Sequence, residues 1–260
     1  MKDLKGKLVL LTGASSGLGP HLARRLDEEG CRFILSARRR QELDRVAAEL
    51  REARVVAADL SQRGEAERLA EAAGPVDVLI ANAGVPASGR LTDFQIDQLD
   101  RALDVNLRAP LVLARLLLPG MMERKDGHLV LMASLAGKVP APRSSVYNAT
   151  KFALRGFGHA LAAELRRTGV GVSVVSPTFV DEAGMFAESG ARVPVRLAKP
   201  GQVADAVVRG ILRRKVEIVV APLEQRLFGR IVSAVPELIQ AAAGAGALPD
   251  EAVTSQERKR

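Results

Sequence analysis

The chain has 260 residues, 47% of them hydrophobic and 26% charged, which suits one large globular domain with a substantial core rather than a disordered or fibrous protein. A single cysteine, Cys31, excludes an intrachain disulfide and a Cys-rich metal cluster, and its place at the start of an apolar run reads as a packed small side chain. The net charge of +8 is interspersed, and with 3% aromatic residues and no Trp to stack bases, nucleic acid is not the expected partner.

The first apolar run, Leu8 to Leu11, is too short for a signal peptide and enters a glycine-rich turn rather than a cleavage site. No uninterrupted apolar stretch approaches the roughly 20 residues that span a bilayer, so a soluble, cytoplasmic protein is expected. Short, continuously apolar runs predict strands over Lys7–Thr12, Arg32–Ser36, Arg54–Ala58, Val76–Ala81, His128–Ala133, Gly171–Ser176 and Glu217–Ala221. Helical periodicity falls between them, near Leu18–Glu29, Gln41–Glu52, Arg63–Ala72, Ile96–Glu123, Tyr147–Arg167 and Gln202–Arg214. The alternation predicts an α/β, doubly wound (Rossmann-type) fold with a mostly parallel seven-stranded sheet and helices on both faces. In such a fold the ligand lies beyond the carboxyl ends of the strands.

The predicted catalytic domain spans residues 1–222. Within it Asp181–Lys199, with Gly184, Gly190 and Pro194, is too long for an ordinary connection and is expected to be a lid or binding loop. Residues 223–260 form a predicted amphipathic extension, with Leu223, Leu227, Phe228, Ile231, Val232 and Val235 at helical spacing and a frayed basic end over residues 255–260. The bland expectation is a helix packed on the core or on another subunit; peripheral contact with a membrane surface stays open.

Strand one runs into Thr12-Gly-Ala-Ser-Ser-Gly-Leu-Gly19 and a helix follows. Gly13, Gly17 and Gly19 permit a tight turn and close approach to a ligand, while Ser15, Ser16 and Leu18 lie on the same turn. The first amides of the helix then present free donors and a positive dipole end to a pyrophosphate. The spacing T-G-x-x-x-G-x-G resembles the classical short-chain dehydrogenase/reductase (SDR) family, and the resemblance covers roughly residues 5–222.

After strand two, Ala37-Arg-Arg-Arg40 offers no acidic residue to hold ribose hydroxyls and instead places Arg38 to fork onto a 2′-phosphate. NADP(H) is therefore the preferred cofactor, with NAD(H) as the alternative. The family resemblance further implies that Asp59 and Leu60 lie at the adenine ring and that Asn82, Ala83 and Gly84 line the cofactor beside the central sheet.

Tyr147 and Lys151 stand four apart on a predicted helix, hence on one face. An ammonium near the phenol lowers its pKa and makes proton exchange with a substrate feasible. Ser134, at the end of strand five, points a hydroxyl into the ligand crevice where negative charge develops on a substrate oxygen. By resemblance, Ser134, Tyr147 and Lys151 are the catalytic set, Lys151 also holds the nicotinamide ribose, and Asn106 supports a water and proton relay. The implied reaction moves a hydride between NADP(H) and a carbonyl or alcohol carbon. No metal is expected, since His21, His128 and His159 share no ligand spacing.

The run Ser176-Pro-Thr-Phe-Val-Asp-Glu182 departs from the family pattern, placing Thr178 where Gly is common and Glu182 where Thr is common. Pro177 and the backbone at Val180 remain candidates for the carboxamide. Asn148 also replaces a common small residue. Met185, Phe186, Val139 and Pro140 suggest an apolar-walled pocket for a hydrophobic ketone, acyl or steroid-like substrate. Family members are commonly homodimers or homotetramers. The alternative function is an NADP(H)-binding redox-responsive regulator without turnover.

Overall fold

The computed structural model describes residues 1–181, 183, 196–234 and 253. Seven strands form one parallel sheet: β1 Leu8–Thr12, β2 Arg32–Ser36, β3 Ala53–Val55, β4 Val78–Ala81, β5 Gly127–Met132, β6 Val170–Pro177 and β7 Glu217–Val220. Their order is β3-β2-β1-β4-β5-β6-β7. The chain starts at β1, winds outward to β3, then crosses back to β4, so a crevice opens between the ends of β1 and β4.

Successive residues of the central strands serve opposite layers. Val9, Leu11, Val78, Ile80, Val130 and Met132 pack with helices α1 (Leu18–Glu28), α2 (Arg40–Ala47) and α7 (Pro200–Arg213). Leu10, Leu79, Ala81, Leu129 and Leu131 pack with α3 (Glu65–Ala73), α5 (Ala109–Glu123) and α6 (Ser145–Glu164). A strand flanked by helices on both sides must be apolar at every position, which explains the continuous rather than alternating runs. The doubly wound, all-parallel sheet thus matches the sequence expectation.

Several boundaries differ from it. β3 ends at Val55, although Val56 and Ala58 still donate to the Leu35 and Ala37 carbonyls. The helix expected over Ile96–Glu123 is interrupted: α4 covers Ile96–Leu103, a wider π-type turn covers Asp104–Arg108, and α5 follows. This assembled segment of 28 residues is long and apolar enough, by length and composition, to cross a membrane. Its apolar residues Leu113, Ala114, Leu117 and Met121 are instead buried against the sheet.

Of the expected lid, Asp181, Ala183 and residues 196–199 are described; Glu182, Met185 and Phe186 lie outside the described residues. The two ends of that segment are pinned together, with Asp181 donating to the Ala198 carbonyl at 2.9 Å and Ala198 donating to Phe179 at 2.9 Å. The carboxyl-terminal helix α8 forms over Leu223–Ala234, and only part of its apolar stripe faces the rest of the chain. Leu223, Leu227, Phe228 and Ile231 are exposed, whereas Val232 is buried and Gly229 lies close to Leu135 and Val139. Gln225 also tethers the helix, accepting from the Thr178 hydroxyl at 2.5 Å and donating to the Arg196 carbonyl at 2.9 Å. A polar anchor, a small residue and Val232 therefore seat α8 on the rest of the chain. Val235 and the basic end at 255–260 lie outside the described residues.

Candidate active site

The glycine turn is built by close packing. Gly13 has φ of 64°, and a Cβ there would come within 2.8 Å of the Ala83 Cα. A Cβ on Gly19 would collide with the Gly13 carbonyl and the Ala14 backbone. Only glycine lets the turn after β1 lie flat against the segment after β4 and against its own helix. The amide of Asn82 locks this contact, donating to the carbonyls of Thr12 and Gly13 at 3.1 Å each. The buried Thr12 hydroxyl accepts from the Asn82 and Ala83 amides, also at 3.1 Å. Asn82, expected beside the cofactor, thus has its side chain committed to holding the turn.

An open cleft runs from this turn across the ends of β2, β1 and β4. It collects Gly13, Ser15, Ser16, Arg38, Asp59, Leu60, Ala83 and Gly84 from the expected cofactor residues. Gly17, Leu18, Gly19, Asn82, Tyr147, Lys151, Pro177 and Val180 do not line it. Ala37 and Arg39 of the arginine run face the same space, and so do Ala58, Val85, Arg101 and Val105, which the sequence reading missed. Val105 adjoins Asn106 and follows Arg101 by one helical turn, but a lone apolar residue and a lone arginine on a helix carry no signal by themselves. Among the described residues no cluster of His, Cys, Asp or Glu is arranged to hold a metal ion.

The four expected catalytic residues converge beyond β5. Ser134 stands two residues past the end of that strand, and its hydroxyl accepts from the Ala136 amide at 3.1 Å and is hydrogen-bonded to Tyr147. Lys151, one turn along α6 from Tyr147, places its Nζ 5.6 Å from the center of the Tyr147 ring. The same Nζ donates to the Met132 carbonyl at 2.9 Å, and the side chain is buried. Burial pushes the ammonium down to about 8. It pushes the Tyr147 phenol up to about 12, with the bond to Ser134 working in the opposite direction. The expected lowering of the phenol by Lys151 is therefore not what this geometry gives. The ammonium is turned to a backbone carbonyl, and desolvation prevails at the phenol.

Asn106 sits in the π-type turn, fully buried. Its carboxamide accepts from the Val85 amide at 2.7 Å and donates to the Val85 carbonyl at 3.0 Å. A weaker contact reaches the Thr150 hydroxyl at 3.5 Å. The wider turn aims this side chain at the segment after β4, a common use of such helix defects. Asn106 therefore ties the cofactor cleft, through Val85, to the helix bearing Tyr147 and Lys151.

Asn148, whose effect the sequence left undefined, is a second tie. Its amide donates to the carbonyls of Ala136 at 2.6 Å and Val139 at 3.3 Å, and its oxygen accepts from the Ala141 amide at 3.2 Å. It staples the segment between Ser134 and Tyr147 onto α6. Lys138 in that segment is buried and paired with Glu217 at 2.9 Å, a carboxylate also bound by Arg155 and thereby held down to about 2.

A short chain dehydrogenase family model matches residues 7–194. The chain is 37% identical over 230 residues to the ketoacyl reductase HetN of Nostoc sp., covering 85% of this chain and 80% of that protein. It superposes on a metagenomic short-chain oxidoreductase solved in complex with NADP with a TM-score of 0.72 and 34% identity, covering 84% of this chain and 98% of the other. A short-chain dehydrogenase from Sphingobium yanoikuyae in complex with NADPH gives a TM-score of 0.79 at 25% identity, covering 94% and 99% of the two chains.

Proposed function

The chain belongs to the short-chain dehydrogenase family, and on that premise we propose that it is an NADP(H)-dependent reductase of a hydrophobic ketone or ketoacyl compound. The observation that carries this proposal is the hydrogen-bonded Ser134–Tyr147 pair with Lys151 one helical turn away. A protein that only bound the nucleotide has no chemical need of such a set.

The residues present suit the cofactor. The turn at Gly13 leaves no room for a side chain on the floor of the cleft, Gly19 packs beneath it, and Ser15, Ser16 and the start of α1 offer donors to a diphosphate. Arg38 and Arg39 at the cleft favour a 2′-phosphate over a bare ribose. The neighbours solved with NADP and NADPH support the same preference. When bound, NADPH supplies the hydride.

This chain's own residues then manage the oxygen. Tyr147, kept neutral by burial, gives its proton to the substrate oxygen as negative charge develops there. Ser134, bonded to Tyr147, polarises and positions that oxygen. Lys151 spends one N–H on Met132 and retains donors for the nicotinamide ribose. Its positive charge also favours the phenolate left behind after proton transfer. Asn106 holds Val85 and α6 in register, and in this proposal it also supports the water through which Tyr147 is reprotonated.

The ketoacyl reductase relative supports a ketoacyl substrate, and the apolar Leu135 and Val139 beside Gly229 of α8 support a hydrophobic one. Leu116 on α5 and Phe152 on α6 stay exposed, which supports homo-oligomer formation. The test is a matched titration with NADPH and NADH, followed by an NADPH-consumption screen over ketones and ketoacyl thioesters. Tighter NADPH binding and turnover of an apolar ketone are expected. Preference for NADH, or no turnover across the panel, would overturn the proposal.

A further inference from the structure

We propose that Arg101 is a third guanidinium of the cofactor cleft and reads the adenosine 2′-phosphate from the side across from Arg38, an inference that rests on the NADP(H) reading. In the sheet β1 lies between β2 and β4. The Arg38–Arg39 segment follows β2, whereas α4 with Arg101 follows β4, so the two reach the cleft from either side of the glycine turn. Arg101 stands four residues before Val105, and both line the cleft, which fixes the face of α4 that looks inward.

The pattern of ion pairs around the cleft is uneven. Arg40 pairs with Asp44, Arg45 with Glu42, Arg63 with Asp104 and Arg108 with Glu67, all within about 3.2 Å. Among the described residues, the side chains of Arg38, Arg39 and Arg101 enter no ion pair or hydrogen bond. Asp97, four residues before Arg101 on α4, stands at a spacing that commonly pairs, yet the pair does not form. The one carboxylate in the cleft, Asp59, is turned to Ser61, accepting from its amide at 3.1 Å and its hydroxyl at 2.8 Å.

Three guanidinium groups facing one space repel one another unless an anion joins them. Arginine stays charged at any ordinary pH, so the repulsion is not relieved by proton loss. A phosphate monoester carries nearly two negative charges near neutral pH and accepts forked hydrogen bonds from several guanidiniums at once. The ribose hydroxyl that replaces it in NAD(H) carries none. Arg101 therefore acts in choosing between the two nucleotides, and its sequence signal is hidden because an arginine on a charged helix reads as solvated surface.

The test is calorimetric binding of 2′,5′-ADP and 5′-ADP to the full chain at low ionic strength, with no turnover involved. Arg101→Ala is expected to weaken 2′,5′-ADP about tenfold, the equivalent of about 1.4 kcal/mol, and to leave 5′-ADP within about twofold. Arg101→Lys is expected to recover part of the loss. Arg45→Ala, which removes the same charge from an outward-facing pair on α2, is expected to change neither affinity. Equal losses for both nucleotides would place Arg101 on the adenine or diphosphate and overturn the inference, as would no loss for either. If the unaltered chain shows no preference for 2′,5′-ADP, the NADP(H) reading itself has failed, a result distinct from failure at Arg101.

Discussion

Replacing Lys151 with Met removes a charge that the fold holds at a cost, and the pH dependence of stability exposes that cost. Burial lowers the ammonium from 10.5 to about 8. In the window between those values the unfolded chain holds the proton more tightly than the folded one, so the Lys151 contribution to stability rises with pH. Near pH 7 the penalty for the buried charge is about 3 kcal/mol, and most of it has gone by about pH 10. Met keeps the bulk of the lysine stem and does not titrate. Losing the bond to the Met132 carbonyl also costs stability, but by an amount that does not follow this window. The Cys31 thiol, raised from 9.0 to about 12, withdraws stability as pH rises above about 9, equally in both proteins, and cancels in the difference. Tyr147, raised from 10.0 to about 12, begins to do so only as pH nears 10, by a few tenths of a kcal/mol at the top of the range. Urea unfolding near pH 7, 8, 9 and 10, followed by circular dichroism, measures the difference between Lys151→Met and wild type. From pH 7 to pH 10 that difference should move by about 2–3 kcal/mol in favour of wild type. A difference that is flat with pH would show that the ammonium is not desolvated and would refute the reasoning.

Asn148→Ala breaks three bonds to the segment between Ser134 and Tyr147. It should lower turnover about ten- to a hundredfold while NADPH affinity, measured by fluorescence, stays within about twofold; unchanged turnover would remove Asn148 as a positioning residue. Asn106→Ala strands the amide and carbonyl of Val85 in a buried position, with an expected loss of about 2–4 kcal/mol in urea unfolding. Gly13→Ala drives a methyl group into the Ala83 backbone at a positive φ, so NADPH binding should fall more than about tenfold in the folded fraction, and retained affinity would contradict the packing account.

Much of this was legible in the sequence because two unrelated patterns agree. Continuous apolar runs such as Leu8–Leu11 and Leu129–Met132 require a sheet covered on both faces, and chemistry-bearing residues fall at the ends of those runs. Ser134 after β5 and the Tyr147–Lys151 spacing survive in three dimensions because strand ends and helix turns fix where side chains point. What escaped depends on contacts remote in sequence. The π-type turn that redirects Asn106 leaves no mark on helical periodicity, because its partner Val85 lies 21 residues away. Gln225 and Gly229, which seat α8 against the rest of the chain, carry no signal in its apolar spacing, whereas Leu223 and Ile231, which do, are exposed on the single chain. The phenol of Tyr147 was expected to be lowered, since proximity to lysine is visible in the spacing while burial and the Met132 carbonyl are not.

The most direct test follows an atom: incubate the protein with an apolar ketoacyl thioester and NADPH deuterated at the nicotinamide C4 position, and find the deuterium by mass spectrometry. The account predicts label on the carbinol carbon of the product with wild-type protein, and a yield lower by about a hundredfold or more with Tyr147→Phe. Product formed equally well by the Tyr147→Phe protein, or no label in any product although NADPH binds, would contradict it.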